Sequence, residues 1–209
     1  MVMSVITGGE TPHRATVSEF LALSRVIIAA DSGFDLLADL NITPHWIVGD
    51  MDSLTKLNQL LAFPPEKIHL HPRKKDFTDT ELAIELALLQ GATDIHLLGG
   101  AGGRMDHYLA NHSLVSRTPQ IKTWITSSEI CSVVDDRWKG LGHIGDRISI
   151  FPLGRGPWEI QSEGLEWSLN AVNFEWNFSL SNVLSNNEFN LKVLKGRFLV
   201  IRPIEGCNG

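Results

Sequence analysis

The sequence predicts a two-part chain, an α/β half built on a parallel sheet followed by an all-β half, and three observations carry this reading. From residue 1 to about 126, short β-branched runs alternate with helical patterns. Beyond Ser127 the helical patterns cease, and strand-like runs follow one another with turn signals between them. With 209 residues, 43% of them hydrophobic, the chain has enough apolar side chains for one large core or two smaller ones.

In chain order, the first half offers the strands Val2 to Thr7, Arg25 to Ala30, Trp46 to Val48, Ile68 to His71, Asp94 to Leu98 and Lys122 to Thr126. Helical patterns lie between them, among them Phe34 to Leu40, Thr78 to Gln90 and Asp106 to Ser116. Strands separated by helices read as a parallel sheet with crossover connections. The second half offers Arg147 to Pro152, Asn187 to Leu194 and Arg197 to Ile201, punctuated by Leu153-Gly154-Arg155-Gly156 and by Lys195-Gly196. Phe189, Leu191 and Val193 alternate with polar neighbours, as in a half-buried antiparallel strand. The boundary is expected within about residues 127–140, giving an α/β domain over 1–130 and a small β-sandwich domain over 131–209.

Charge and cysteine content exclude several function classes. The first ten residues have no basic stretch, and Thr7-Gly8-Gly9 breaks their apolar run, so neither a signal peptide nor a membrane anchor is expected and the cytoplasm is the default location. Cys131 and Cys207 stand far apart without metal-ligand spacing, which argues against a disulfide framework and a structural zinc site. With a formal charge of −6 and no basic block longer than Arg73-Lys74-Lys75, a nucleic-acid partner is not expected and a small-molecule partner is.

Chemistry collects where predicted strands end. One runs into Asp31-Ser32-Gly33, another into Gly49-Asp50-Met51-Asp52-Ser53, and a third into Gly99-Gly100-Ala101-Gly102-Gly103-Arg104-Met105-Asp106-His107. In an open parallel sheet these ends share one edge, and ligands bind in the crevice beyond it. Lys74-Lys75-Asp76-Phe77-Thr78-Asp79 follows a fourth strand to the same edge. So many carboxylates would repel a bare triphosphate, so the arrangement makes sense with a divalent cation between acid and phosphate, and magnesium is the natural candidate. Asp31, Asp50, Asp52, Asp76, Asp79 and Asp106 exceed the needs of one ion, leaving some to bind a second ion, an acceptor hydroxyl, a ribose or a basic ring. The glycine run lets backbone N–H groups approach an anion, and Lys75 and Arg104 could neutralise charge during phosphoryl transfer.

Each piece also has a plain structural reading. Asp31-Ser32-Gly33 suits a strand-to-helix turn, Thr78 with Glu81 matches a capping box, Asp106 could cap the helix it opens, and the glycines could form only a loop. Asp50 and Asp52 are harder to explain that way, because paired acids in a tight turn repel unless something cationic binds. His107 and His112 read as a helix-face pair, since no third ligand is spaced for zinc.

In this order and spacing, Ala30-Asp31-Ser32-Gly33, Pro44 leading to Gly49-Asp50-Met51-Asp52-Ser53, Asp76-Phe77-Thr78-Asp79, and Gly102-Gly103-Arg104-Met105-Asp106-His107 with Ala110-Asn111 resemble the thiamine pyrophosphokinase family. Gly164-Leu165-Glu166-Trp167-Ser168-Leu169 and Ser181-Asn182 extend the resemblance into the second half, where they look like the family's thiamine-side motifs. Ser32 departs from the pattern where a second glycine is common, and Val183 where many bacterial members have an acid.

The resemblance implies transfer of the diphosphate of ATP to the hydroxyl of thiamine with release of AMP, with Mg²⁺ as cofactor, in a homodimer whose first domain carries ATP and whose second binds thiamine near the domain and subunit junctions. It implies Asp50, Asp52 and Asp79 as the metal and diphosphate centre. Asp31, Ser53, Lys75, Asp76, Thr78, Gly102, Gly103 and Arg104 would sit on the nucleotide side, Arg104 with a catalytic share. Asp106, Trp167, Ser181 and Asn182 would serve thiamine, Trp167 by offering an indole face to the cationic thiazolium ring. Two rival readings stay open: a pyrophosphokinase acting on another hydroxymethyl heterocycle such as a reduced pterin, and a sensor that binds thiamine or nucleotide without turnover.

Overall fold

A computed structural model of the chain describes residues 1–204. It divides into two compact units, Met1–Ser127 and a second beginning at Ser128.

The first unit is the α/β half. Its elements are β1 (Val2–Ile6), α1 (Arg14–Ala22), β2 (Val26–Ala30), α2 (Gly33–Asp39), β3 (Trp46–Gly49), α3 (Leu57–Leu61), β4 (Ile68–Leu70), α4 (Asp79–Leu89), β5 (Asp94–Leu98), α5 (Met105–Arg117) and β6 (Ile121–Ile125). All five strand pairings in this unit are parallel, and they set the order β6-β5-β1-β2-β3-β4. The run of consecutive strands therefore reverses beside β1, between β1 and β5, which is where an open α/β sheet leaves a crevice at its carboxyl edge. Met3, Val5, Ile6, Ile28, Ile47, Ile95, Leu97 and Leu98 are wholly buried, as expected of strands covered on both faces, which is why their sequences read as unbroken apolar runs.

The expected strands and the helices α2, α4 and α5 lie within about two residues of the sequence reading. Thr78 and Glu81 form the capping box that opens α4: the Glu81 N–H donates to Thr78 Oγ1 at 3.1 Å, and the Thr78 N–H donates to Glu81 Oε2 at 2.8 Å. Helices α1 and α3 carried no comparable signal, since neither has a side-chain cap and α3 buries none of its residues.

The second unit is all-β. Its strands are β7 (Glu129–Val134), β8 (Arg137–Leu141), β9 (Arg147–Leu153), β10 (Glu159–Glu163), β11 (Ser179–Val183), β12 (Glu188–Lys195) and β13 (Arg197–Pro203). They pair antiparallel in two groups, β11-β9-β13-β7 and β10-β12-β8. Inward-facing residues of both groups form one core, with Ile148 and Ile150 of β9 and Phe198 and Val200 of β13 meeting Ile160 of β10 and Phe189 and Leu191 of β12. This is the packing of a small sandwich. Trp158 packs against that core while Trp176 is 83% exposed, which separates two tryptophans whose sequence contexts do not distinguish them.

Candidate active site at the strand ends

Four strands of the first unit open onto one cleft of about 440 Å³. Its walls take Asp31 from the end of β2, Ser53 from the loop after β3, Asp79 from the start of α4, and Gly102, Gly103 and Arg104 from the loop after β5. A fifth contribution, Thr7-Gly8-Gly9 at the end of β1, is read from the sequence only as a break in an apolar run. The signal was available, since these residues also follow a predicted strand and carry two glycines. Thr7 Oγ1 shares a hydrogen bond of 2.7 Å with Thr80 Oγ1, tying the end of β1 to the first turn of α4.

The acids converge because the backbone is bent and bare where they meet. Asp31 and Met51 are non-glycine residues with φ of 44° and 63°, the left-handed region that side chains disfavour and that structures retain chiefly where something else compensates. At Gly49, φ is 146°, and an added Cβ would stand 3.1 Å from Asp79 Oδ1 and 3.2 Å from Asp31 Cβ, so a side chain here would push the acids apart. Asp31, Asp50 and Asp52 each offer a carboxylate oxygen within 4.8 Å of the others, the spacing of ligands that share one cation. Lys75 Nζ lies 3.2 Å from Asp50 Oδ2 and 2.9 Å from Asp79 Oδ1, which links Asp79 to the same group.

The electrostatics are those of an incompletely compensated site. Burial raises the Asp31 carboxyl above its ordinary range, the nearby charges of Asp79 and Asp50 push in the same direction, and hydrogen bonds from Ser32 and Ser53 only partly offset this. Asp31 Oδ1 and Asp79 Oδ1 are buried oxygens without a hydrogen-bond donor, and the Lys75 contact to Asp79 is an ion pair rather than an aligned hydrogen bond. Asp31 Oδ1 within the Asp31-Asp50-Asp52 group, and Asp79 Oδ1 held only by the Lys75 ion pair, fit a hard divalent cation, whose ligands are carboxylate oxygens with water and phosphate. Asp52 is held below the ordinary carboxylate range, first by the Ser53 hydroxyl, which donates to Asp52 Oδ1 at 2.9 Å, and then by Arg73. For Lys75, burial alone would lower the ammonium, but Asp79 and Asp50 outweigh it and raise it above its usual value.

The opposite wall is a backbone cradle. Gly99, Gly100, Gly102 and Gly103 all have positive φ, and at Gly100 a Cβ would stand 2.2 Å from Asn111 Nδ2. Buried Asn111 donates from Nδ2 to Gly100 O at 2.8 Å, and buried Trp124 donates from Nε1 to Gly99 O at 2.8 Å, so two side chains lock the loop from beneath. Arg104 and Asp106 pair with each other and remain exposed, Arg104 Nε donating to Asp106 Oδ1 at 3.1 Å. That pairing keeps Asp106 below the usual carboxylate range and Arg104 above its own. Asp106 does not sit at the helix cap, which is Arg104, although its Oδ1 accepts from the His107 N–H. His107 lines the cleft, whereas Asp76 is exposed outside it and the Thr78 hydroxyl is engaged in the cap of α4.

Within the second unit, Trp167 and Asn182 line a separate groove of about 230 Å³, with Phe178 and Leu180. Asn182 is buried and holds the Trp167 backbone from both sides, accepting from its N–H at 3.2 Å and donating to its carbonyl at 2.7 Å. Its amide is thereby committed to the groove wall, while the Trp167 ring is 57% exposed. Ser181 takes a φ of 53°, gives its N–H to Ser149 Oγ at 3.0 Å, and is not part of the groove lining. Cys131 is buried and free, and Cys207 lies outside the described residues.

The sequence model of the family described as thiamin pyrophosphokinase, catalytic domain, matches residues 17–125. Thiamine pyrophosphokinase of Bacillus subtilis is 25% identical to the chain, over 97% of this chain and 99% of that protein. Among solved structures, the thiamine pyrophosphokinase of B. subtilis superposes with a TM-score of 0.78 at 23% identity, covering 98% of this chain and 100% of that one. The Candida albicans thiamin pyrophosphokinase superposes at 0.75 with 15% identity, covering 98% and 90% respectively. At these identities the superpositions speak for the fold.

Proposed function

Because the chain belongs to the thiamin pyrophosphokinase family, a family of enzymes, we propose that it transfers the diphosphate group of ATP to the hydroxyl of thiamine and releases AMP. The observation that carries the reading is that Asp31 and Asp79, each with a buried oxygen that accepts no hydrogen bond, line one cleft with a glycine loop suited to an anion, with Asp50 and Asp52 clustered beside Asp31.

Asp50, Asp52 and Asp79 would hold magnesium, with Asp31 as a fourth carboxylate, and the ion when bound would neutralise charge on the phosphate oxygens. The chain's own residues then position and compensate. Gly102 and Gly103 offer backbone N–H groups to the polyphosphate, and Lys75, Ser53 and Arg104 meet its oxygens, with Asp76 and Thr78 at the rim. Asp106, beside Arg104, orients the acceptor hydroxyl for in-line attack on the β-phosphorus. The new oxygen–phosphorus bond forms as the bond to the α-phosphate oxygen breaks, and AMP leaves. Such a reaction needs alignment and charge compensation more than a protein nucleophile.

Thiamine would lie against the exposed face of Trp167, with Asn182 acting by holding the Trp167 backbone in place and Ser181 close by on the same strand. The proposal includes a homodimer, supported by the exposure of Trp176, Phe178 and Leu180 at 83%, 54% and 64%. It also includes a cytoplasmic location and no membrane role; no helix among the described residues is long and apolar enough to cross a membrane.

The test separates binding from turnover. Asp50→Asn and Asp52→Asn are each expected to retain thiamine binding and lower kcat, Asp50→Asn by on the order of a thousandfold. Variants as active as the parent would remove the metal centre from the account.

A further inference from the structure

Lys75 stands where a metal-binding site would not be expected to keep a cation. Its side chain is 12% exposed and inserts between Asp50 Oδ2 at 3.2 Å and Asp79 Oδ1 at 2.9 Å, two carboxylates that the functional reading assigns to the divalent ion. Arg73, two residues earlier on the same loop, pairs with Asp52 from the outside, its side chain 75% exposed. Four carboxylates, those of Asp31, Asp50, Asp52 and Asp79, thus face two cations from one connecting loop. The two uncompensated negative charges are those one divalent ion would balance. An ammonium and a divalent ion compete for the same oxygens, because at about 3 Å their mutual repulsion is strong even at an intermediate dielectric. Lysine suits such a role: its compact charge sits on four flexible carbons, so the same ammonium can leave the carboxylates and turn to a phosphate.

From this geometry we infer that Lys75 is a resident counter-cation: it holds Asp50 and Asp79 together while the nucleotide is absent, and so weakens their capture of a bare divalent ion. The ion is then bound well only with the polyphosphate, whose own negative charges draw Lys75 off the carboxylates. Metal and nucleotide load together, and the empty enzyme does not collect free metal. The inference rests on the proposed metal centre and deepens it.

The experiment is a titration of the full chain with Mn²⁺ alone, without nucleotide, following free Mn²⁺ by electron paramagnetic resonance. Lys75→Met is expected to bind Mn²⁺ at least about tenfold more tightly than the parent, and Lys75→Arg, which keeps the charge, to remain close to it. Lys75→Gln keeps length and polarity without charge and should behave as Lys75→Met does, so it serves if the methionine variant folds poorly. As a second readout, Mg²⁺ should raise the melting temperature of the uncharged variants more than that of the parent. Unchanged or weaker Mn²⁺ binding in both uncharged variants overturns the counter-cation role. If at the same time the parent forms product only with Mg²⁺, the functional reading stands without it; if the parent turns over in EDTA, the metal centre falls too.

Discussion

Gly49, Asp31 and Met51 show what the site demands of single residues. One gives up a side chain so that Asp79 and Asp31 can approach, and the other two accept left-handed backbone beside the acids. Strain of this kind costs about 1–3 kcal/mol per residue and persists where the surroundings fix it, which matches a cluster waiting for positive charge. None of this was legible in the sequence. The Asp50-Met51-Asp52 spacing singled out this turn, but the sign of φ and the approach of Asp31 to within 4.8 Å of both acids depend on how separate loops meet. Lys75 drew notice in the sequence as a cation suited to phosphate, and nothing there indicated its seat between two carboxylates. Cys131 gives a prediction at this scale. Burial pushes its thiol up to about 12, so almost none is thiolate at pH 8. Peptide-level mass spectrometry after iodoacetamide treatment should find Cys131 unmodified in the folded protein and modified after denaturation; rapid labelling of the native state would contradict the packing around β7.

Among the elements, those with a chemical reason to start or stop were the readable ones. The capping box fixed the start of α4, and β-branched runs ending in Gly or Asp fixed β2, β3 and β5. By contrast α1 opens at His13 without a side-chain cap, and β11 buries only Asn182 and slips register between Ser179 and Asn182, so neither a cap nor a period-2 alternation marked them. The start of α4 places Asp79, which makes its cap a test of how the site is held. Thr78→Ala should lower stability by about 1 kcal/mol in chemical denaturation. Glu81 adds a pH dependence. Burial would raise its carboxyl, but the Thr78 N–H and Arg117 prevail and hold it below the ordinary range. A depressed folded value means its contribution is complete above the unfolded value, about 4.3, and is lost as pH falls through the folded one. The stability gap between the parent and Glu81→Gln should therefore close on acidification below about pH 4; a gap that widened there would reverse the assignment.

For the whole molecule, the change from alternating strands and helices to strands alone was enough to predict an α/β half and an all-β half, because the period of apolar residues changes with the element that carries it. The strand order was not readable, since nothing local records that β1 lies between β2 and β5. Yet that order sets the crevice where the strand ends deliver Thr7-Gly8-Gly9, Asp31, Ser53 and the glycine loop. A parallel sheet with a reversal beside β1 gives the carboxyl edge, and glycine-rich loops let backbone and acids crowd there.

Diphosphate transfer in a single step is the central claim, and its products distinguish it from stepwise chemistry. Purified protein incubated with thiamine, ATP and Mg²⁺, with a parallel sample in EDTA, is analysed by chromatography for all nucleotides and thiamine phosphates. AMP and thiamine diphosphate in equal amounts, both lost on chelation, are the predicted result. ADP with thiamine monophosphate, or bound thiamine with no nucleotide consumed, would contradict it.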